Sequence, residues 1–413
     1  MSRLYNIILL YIVLIPLQGI RAQQPALLNK YHRSSLYSLM LKHPEKEFGP
    51  QIVEAFKSIP IPDKYNDHTL KLTVFPSPVL QKLSSKEMEG AYKDAVATLL
   101  NRNKIARRMV EKWFDRDSKT GAMDMKLVME RGMYDASIMD VMQARKTVRG
   151  TAMLADAGEE LLNHTYVLVN DIRYADKEVE KSIVGGVLTA VDLVGSFVPL
   201  GSNVADMVTG TAEITSRVAG FKVLVTSYLF KLEWNDEIAG QFYSTMWMDE
   251  NSTDAAVKKV FDENSDLFRL EYLGSATVYS GKTALGGVKS EKDMFLKVCT
   301  RAIDTSIMEL QRNFDEFKVF TPLVSTDPIY AYIGMKEGVR EESRYEVLEC
   351  TVNKEGRTEY KRIGIIKPEK DKIWDNRFMA TDDNLAGSDL SYTTFKKVSG
   401  GNFYPGLLIR EIK

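Results

Sequence analysis

The sequence predicts an α+β protein, and three observations carry that prediction. Apolar residues recur at helical spacing through residues 86–114 and again through 137–162. Two runs rich in β-branched and aromatic residues, Thr165–Tyr174 and Phe221–Trp234, read as strands of one central sheet. From Thr321 onward the chain breaks into short extended runs separated by turn signals, the pattern of a small β-barrel or sandwich. At 413 residues the chain exceeds one ordinary core, so more than one domain is expected. The expected order is a signal peptide at 1–22, a segment of short helices and proline-rich turns at 23–80, a central α+β domain at 81–320 and a C-terminal small β-barrel domain at 321–413. A helical N-terminal region therefore precedes the central sheet, into which a glycine-rich helical hairpin is inserted at 177–220.

The leader comes first. Arg3 supplies a positive charge, and Ile7–Leu17 is an apolar run of eleven residues containing Pro16. That run is short for a bilayer core of roughly 30 Å but suits the hydrophobic region of a signal peptide. Ala22 before Gln23 offers a cleavage point, although Ile20 three places from the cut is bulkier than usual. An uncleaved anchor is the alternative. No cysteine follows the run, against a lipid-anchored mature terminus. The expected compartment is outside the cytoplasm: the periplasm, the outer-membrane surface or the extracellular space. Cys299 and Cys350 are the only cysteines, either one disulfide or two buried thiols.

The remaining elements follow in order. Two Ile-Pro pairs, Ile59-Pro60 and Ile61-Pro62, force extended backbone. Ala95, Leu99, Ile105, Met109 and Trp113 then line one long helix that Gly121 stops. Ser137, with Asp140 three residues on, caps the next helix. In the second strand run Leu224, Thr226, Tyr228, Phe230 and Leu232 share one face, with Val223, Val225, Ser227 and Leu229 on the other. Helix returns between Asp254 and Phe320, interrupted by a strand or hairpin near 269–281. Turns are expected at Asn353–Gly356 and at Pro405-Gly406.

Within the hairpin, Ser182, Gly185, Thr189, Asp192 and Ser196 form a stripe of small or polar residues on an otherwise apolar helix that Pro199 and Gly201 end. Seventeen helical residues reach roughly 25 Å, and Asp192 near the centre costs about 2.5–3.5 kcal/mol to insert, so a simple membrane anchor fails. Three readings stand: a hairpin packed on its own sheet, a self-association surface, and insertion as an oligomer with the stripe facing a lumen.

Chemistry is sparse. His32, His43, His68 and His164 lack zinc-site spacing, and no G-x-S-x-G elbow occurs. Gly281-Lys282-Thr283 imitates a phosphate loop, but the required earlier glycine is Ala276. Asp115 and Asp117 open a calcium-like loop that Lys119, the late Gly121 and Lys126 then spoil. Asp382, Asp383 and Asp389 read as a solvated acidic loop, and Asp156, Glu159 and Glu160 as ordinary helix acids. No cofactor and no metal are expected. With 55 Lys plus Arg against 56 Asp plus Glu, no nucleic-acid partner is expected either. Arg102, Lys104, Arg107 and Arg108 form a basic helix face, solvated or touching phosphorylated lipid headgroups at a membrane surface.

Several phrases resemble a known group. "IPIPDKYNDH", "VMERGMYDAS", "RGTAMLADAGEELL", "TYVLVNDIRY" and "FKKVSGGNFYPGLLIREI" together resemble uncharacterised exported proteins of Bacteroidota across the whole mature chain. "GMKEGVREESRYEVLE" and "GRTEYKRIGIIKP" are similar to SH3-like barrels of bacterial envelope assembly proteins. The resemblance implies an envelope compartment and brings no catalytic residues. The expected role is a non-enzymatic envelope interaction or scaffold protein that binds other envelope proteins or itself, with Gly185, Thr189, Asp192 and Ser196 as the contact surface. Two alternatives remain: an oligomeric membrane-inserting assembly or pore built on hairpin 182–219, and a hydrolase of envelope polymers, which needs a cleft with convergent carboxylates.

Overall fold

A computed structural model of the chain describes residues 34–78, 85–135, 160–175, 221–282, 290–352, 358–380 and 390–412. The leader expected at 1–22, most of the helix expected at 137–162, the hairpin expected at 177–220, the turn expected at Asn353–Gly356 and the stretch with Asp382, Asp383 and Asp389 lie outside them. Helices and sheets are both present, and the fold is α+β.

The first sheet holds β1 (Ser35–Lys42), β2 (Asn66–Asp67), β3 (Val74–Pro76), β4 (Thr165–Tyr174), β5 (Phe221–Leu232) and β6 (Leu270–Lys282). Its order is β2-β1-β4-β5-β6, with β3 also on β1. β1 runs parallel to β4 with Ser35 opposite Thr165, whereas β4, β5 and β6 are antiparallel. The two strand runs read from sequence are thus neighbours in one sheet. Strand β1 is an element that the expectation of short helices and proline-rich turns at 23–80 did not contain. Seven of its eight residues are buried or nearly so, leaving no polar–apolar alternation to betray a strand. Gly281 and Lys282, the phosphate-loop imitation, belong to β6 and pair with Lys222 and Phe221.

The sheet is buried on both faces. On one side Tyr37, Leu39, Val167, Val169, Phe230 and Leu232 meet the helices α2 (Ser85–Arg102), α3 (Ile105–Trp113), α5 (Asp236–Thr245) and α6 (Ala255–Glu263). On the other, Leu36, Met40, Leu168, Val223, Val225 and Leu229 meet α1 (Gly49–Lys57) and α7 (Glu291–Asn313). The alternation along β5 therefore sorts its side chains as the sequence predicts. Helix α7, roughly 35 Å long, sends Phe295, Val298, Cys299, Ala302, Ile303 and Leu310 into this second core. Cys299 is a free, buried thiol, and burial pushes it up to about 12. At the β5–β6 bulge Gly274 admits the Phe314 ring where any Cβ would lie 2.0 Å from its Cζ.

The single long helix expected at 86–114 is two. The Asn103 amide donates to Leu99 O at 2.8 Å, competing with the backbone ladder, and Lys104 takes left-handed φ 51°. The chain re-aims there so that Ile105, Met109 and Trp113 are buried. Helix α3 ends at Trp113, well before Gly121. Between them Asp117 Oδ1 accepts from the Lys119 and Thr120 amides, which makes the calcium-like loop a closed turn. Helix α4 (Lys126–Asp135) contributes the buried Arg131, whose guanidinium donates to Ser35 Oγ, His68 Nδ1 and Asp67 O and lies 4.4 Å from the Trp113 ring.

The second sheet contains β7 (Thr321–Pro322), β8 (Ser325–Thr326), β9 (Ile329–Ala331), β10 (Arg344–Val352), β11 (Thr358–Pro368), β12 (Thr393–Gly400) and β13 (Leu408–Ile412). Its order is β7-β13-β10-β11-β12-β9-β8, and it curls into a half-barrel around Val347, Ile366, Phe395 and Ile409. Bulges interrupt the β10–β11 and β11–β12 ladders and increase the local twist.

Candidate functional site

Where α7 faces the half-barrel, a cleft of about 500 Å³ opens. Several separate pieces of chain build it. The Ile59-Pro60-Ile61-Pro62 stretch carries Asp63 and Lys64 to the rim, held in place by Tyr65, which stacks on Phe317 at 5.4 Å. Helix α7 presents Met308 and Gln311. Gln311 is a bridge: its amide donates to Tyr65 Oη, and its Oε1 accepts from Lys64 Nζ at 3.3 Å. The turn at Met335–Glu337 supplies Lys336 and Glu337. Aromatic side chains complete the walls, Trp374 and the exposed Tyr332 among them.

The turn is locked from beneath. Glu337 Oε2 accepts from Gly334 N at 2.8 Å and from Asn376 Nδ2 at 2.7 Å, while Asn376 Oδ1 takes Lys336 N at 2.8 Å. Gly338 follows at φ 79°, and a Cβ there would lie 2.5 Å from Met308 Sδ. Arg312 Nη2 donates to Gly338 O at 3.0 Å. Helix and turn therefore meet backbone to side chain, with no room for a larger residue.

Behind the cleft wall stands Asp304, in line with Met308 and Gln311 along α7. Its Oδ2 is buried without a hydrogen-bond partner among the described residues, and Lys336 Nζ is 3.9 Å from Oδ1. Burial lifts its carboxyl to about 6, against the pull of Lys336 and Lys64. Burial likewise lowers the Lys64 ammonium, an effect that Glu337 and Asp304 oppose and Lys336 reinforces. Perturbed acids and bases gathered at one concavity mark a candidate site.

A second buried charge cluster lies at the C-terminal ends of β1 and β4. Asp171 Oδ1 is 2.6 Å from His43 Nε2, and Arg173 clamps the same carboxylate. Burial pushes the Asp171 carboxyl up, yet the hydrogen bonds from His43 and Arg173 prevail and hold it at about 2. These groups spend their polar atoms on one another, and the cluster reads as structural.

What the cleft can do follows from its occupancy. Glu337 is tied by two donors, and Glu411 accepts from Ser343 Oγ at 3.0 Å while facing Arg312 at 3.7 Å. Lys64, Lys318 and Lys336 balance Asp63, Glu337 and Glu411 along the walls. Such a lining suits recognition by hydrogen bonds and aromatic contact.

Of the residues singled out from sequence, the described ones, Arg102, Lys104, Arg107 and Arg108, do not line the cleft. Gly185, Thr189, Asp192 and Ser196 are outside the described residues. The basic face is divided: Arg102 ends α2, Lys104 sits in the break, and Arg107 and Arg108 belong to α3. Arg107 turns inward, donating to Asp262 O at 3.0 Å and approaching Glu111 at 3.3 Å, while Arg102, Lys104 and Arg108 stay exposed. Sequence reasoning missed the cleft residues entirely. One signal existed: Asp304 and Gln311 share a stripe with apolar Met308, where a helix packed on that side is expected to be uniformly apolar. Compared with known proteins, the chain matches no family model and no curated protein.

Proposed function

We propose that this chain is an exported, non-enzymatic component of a bacterial cell envelope that holds a partner in the cleft between α7 and the half-barrel and associates with itself through hairpin 182–219. The observation that carries the reading is the cleft: aromatic walls and balanced charge, with Glu337 and Glu411 committed to neighbouring donors. The leader at 1–22 supports the compartment. The same reading takes the half-barrel as an SH3-like module, supported by the bulged β10–β11–β12 meander, and α2–α4 as the helical N-terminal region.

The test is photo-crosslinking in cells from a reactive residue at Tyr332, followed by fractionation. The expected result is a discrete adduct of leader-free protein in the envelope fraction, lost when Lys64 and Lys336 are both changed to Glu. Mature protein in the cytosol with Met1 attached, or an adduct indifferent to the double change, refutes the proposal.

A further inference from the structure

Three of the four tryptophans serve one core: Trp113, Trp234 and Trp247 pack where the first sheet meets α2, α3, α5 and α6. Trp374 does not. It sits half-buried in the cleft wall and belongs to no apolar cluster. Among the described residues its indole has no ring neighbour and its Nε1 no acceptor. Tyr332, 40 % exposed, lines the same cleft. Tyr330 braces it edge-on with ring centroids 6.1 Å apart, and Tyr392 stacks on Tyr330 at 4.2 Å. One buried residue fixes the backbone beneath both aromatic positions. Thr393 Oγ1 accepts from Trp374 N at 3.1 Å and donates to Ile333 O at 2.6 Å, while Trp374 O takes the Met335 N–H at 2.9 Å. Large amphipathic rings left open on a fixed backbone contribute little to folding and much to recognition, because no ordering cost remains at binding.

The polar groups beside these rings narrow the ligand. Asp63 is exposed and meets no cation among the described residues. Lys64 Nζ spends one bond on Gln311 Oε1 at 3.3 Å, and Lys336 Nζ comes no closer to a carboxylate than 3.9 Å, at Asp304. With Trp374 Nε1, the cleft therefore offers spare donors and a spare acceptor together. A hydroxyl donates and accepts at once, so a chain of hydroxyls can use both kinds. A sugar ring also carries C–H groups on its faces, which suit the electron-rich face of an indole or phenol. Lysines and acids along the walls balance, which gives a polyanion no advantage. An apolar peptide would bury Lys64, Lys336 and Asp63 without partners. Strand addition at β7 is blocked as well. Leu323 N–H turns inward to Leu407 O at 2.7 Å, so by alternation the open edge presents Pro322, which has no N–H to give.

We propose that the cleft binds a neutral glycan chain, with sugar rings stacked on Trp374 and Tyr332 and their hydroxyls bonded to Lys64, Lys336 and Asp63. The inference rests on reading the cleft as a binding site and names the class of partner that enters it.

The test titrates the purified full chain with cellohexaose, chitohexaose and maltohexaose by calorimetry, with a polyproline peptide for comparison. The expected result is binding of at least one hexaose that is indifferent to added salt and weakens as the sugar is shortened to the disaccharide. It falls about 10- to 100-fold in Trp374→Ala and about 3- to 10-fold in Tyr332→Ala. Leu72→Ala, at an exposed apolar residue outside the cleft, leaves it unchanged. Trp374→Phe keeps a flat ring and gives an intermediate loss, which decides the matter should the alanine variant fold poorly. Absence of binding to every hexaose, or a folded Trp374→Ala that binds like the wild type, overturns the inference. Binding of polyproline at Trp374 in place of every hexaose overturns it too. A discrete protein adduct from Tyr332 in cells, without binding of any hexaose, overturns this inference alone and leaves the cleft as a binding site.

Discussion

Replacing Asp304 with Asn should stabilise the protein, and only above a definite pH. The wild-type carboxyl, carried by α7, is buried with Oδ2 unpartnered among the described residues, and its proton is held up to about pH 6 instead of the usual 3.8. That difference corresponds to about 3 kcal/mol of destabilisation once the group is ionised in the folded state. Between pH 3.8 and 6 the folded protein keeps a proton that the unfolded chain has released. Stability from this group therefore falls as pH rises through that window and is constant above it. Asn carries no such titration. Its amide must find a partner or leave one unmade bond, a cost of about 1 kcal/mol. The net expectation is a gain of about 2 kcal/mol at pH 7 that shrinks to nothing, or reverses slightly, near pH 4. Urea unfolding followed by tryptophan fluorescence at several pH values measures it. A difference between variant and wild type that does not change with pH, or a variant less stable at pH 7, refutes the assignment of Asp304 as a strained, buried acid.

Two further outcomes are expected. His68 donates from Nε2 to Met109 O and accepts from Arg131 at Nδ1, and burial, then Arg131, keeps it neutral well below the usual range. The unfolded chain gains this proton below about pH 6.5 while the folded one does not, so stability should fall by about 1.4 kcal/mol per pH unit there. His68→Gln should remove that slope, and a variant with the wild-type slope would count against the reading. Gly338→Ala combines a left-handed backbone with a contact of 2.5 Å to Met308 Sδ, and should cost about 1–3 kcal/mol while weakening capture at the cleft. An unchanged melting temperature would argue that α7 and the turn are not fitted together there.

How much of this was legible depends on what each segment contacts. Strands β4 and β5 announce themselves through β-branched and aromatic residues, and the alternation along β5 sorts its two faces. Strand β1 hides because both of its faces are buried, which removes the period that identifies a strand. The break at Asn103 hides because a side-chain amide competing for Leu99 O leaves no mark on the apolar spacing. The cleft is least legible. Lys64 and Gln311 are 247 positions apart and meet only because the sheet brings α7 across the proline-rich stretch. No local window contains such a pair. The hairpin stripe drew attention because its pattern is local, and the charged cleft escaped notice because each of its lysines, taken singly, resembles an ordinary surface residue.

The pairing of β1 with β4 also sets a timetable for the growing polypeptide. Ser35 reaches its neighbour Thr165 only after about 130 further residues have appeared. At roughly 5–20 residues per second that leaves an apolar ribbon with open backbone groups for about 7–25 s, a period in which it invites mispairing. A holding factor that shields Leu36 to Leu41 until β4 arrives would suit such a molecule, and among the described strands the first one made waits longest for its neighbour.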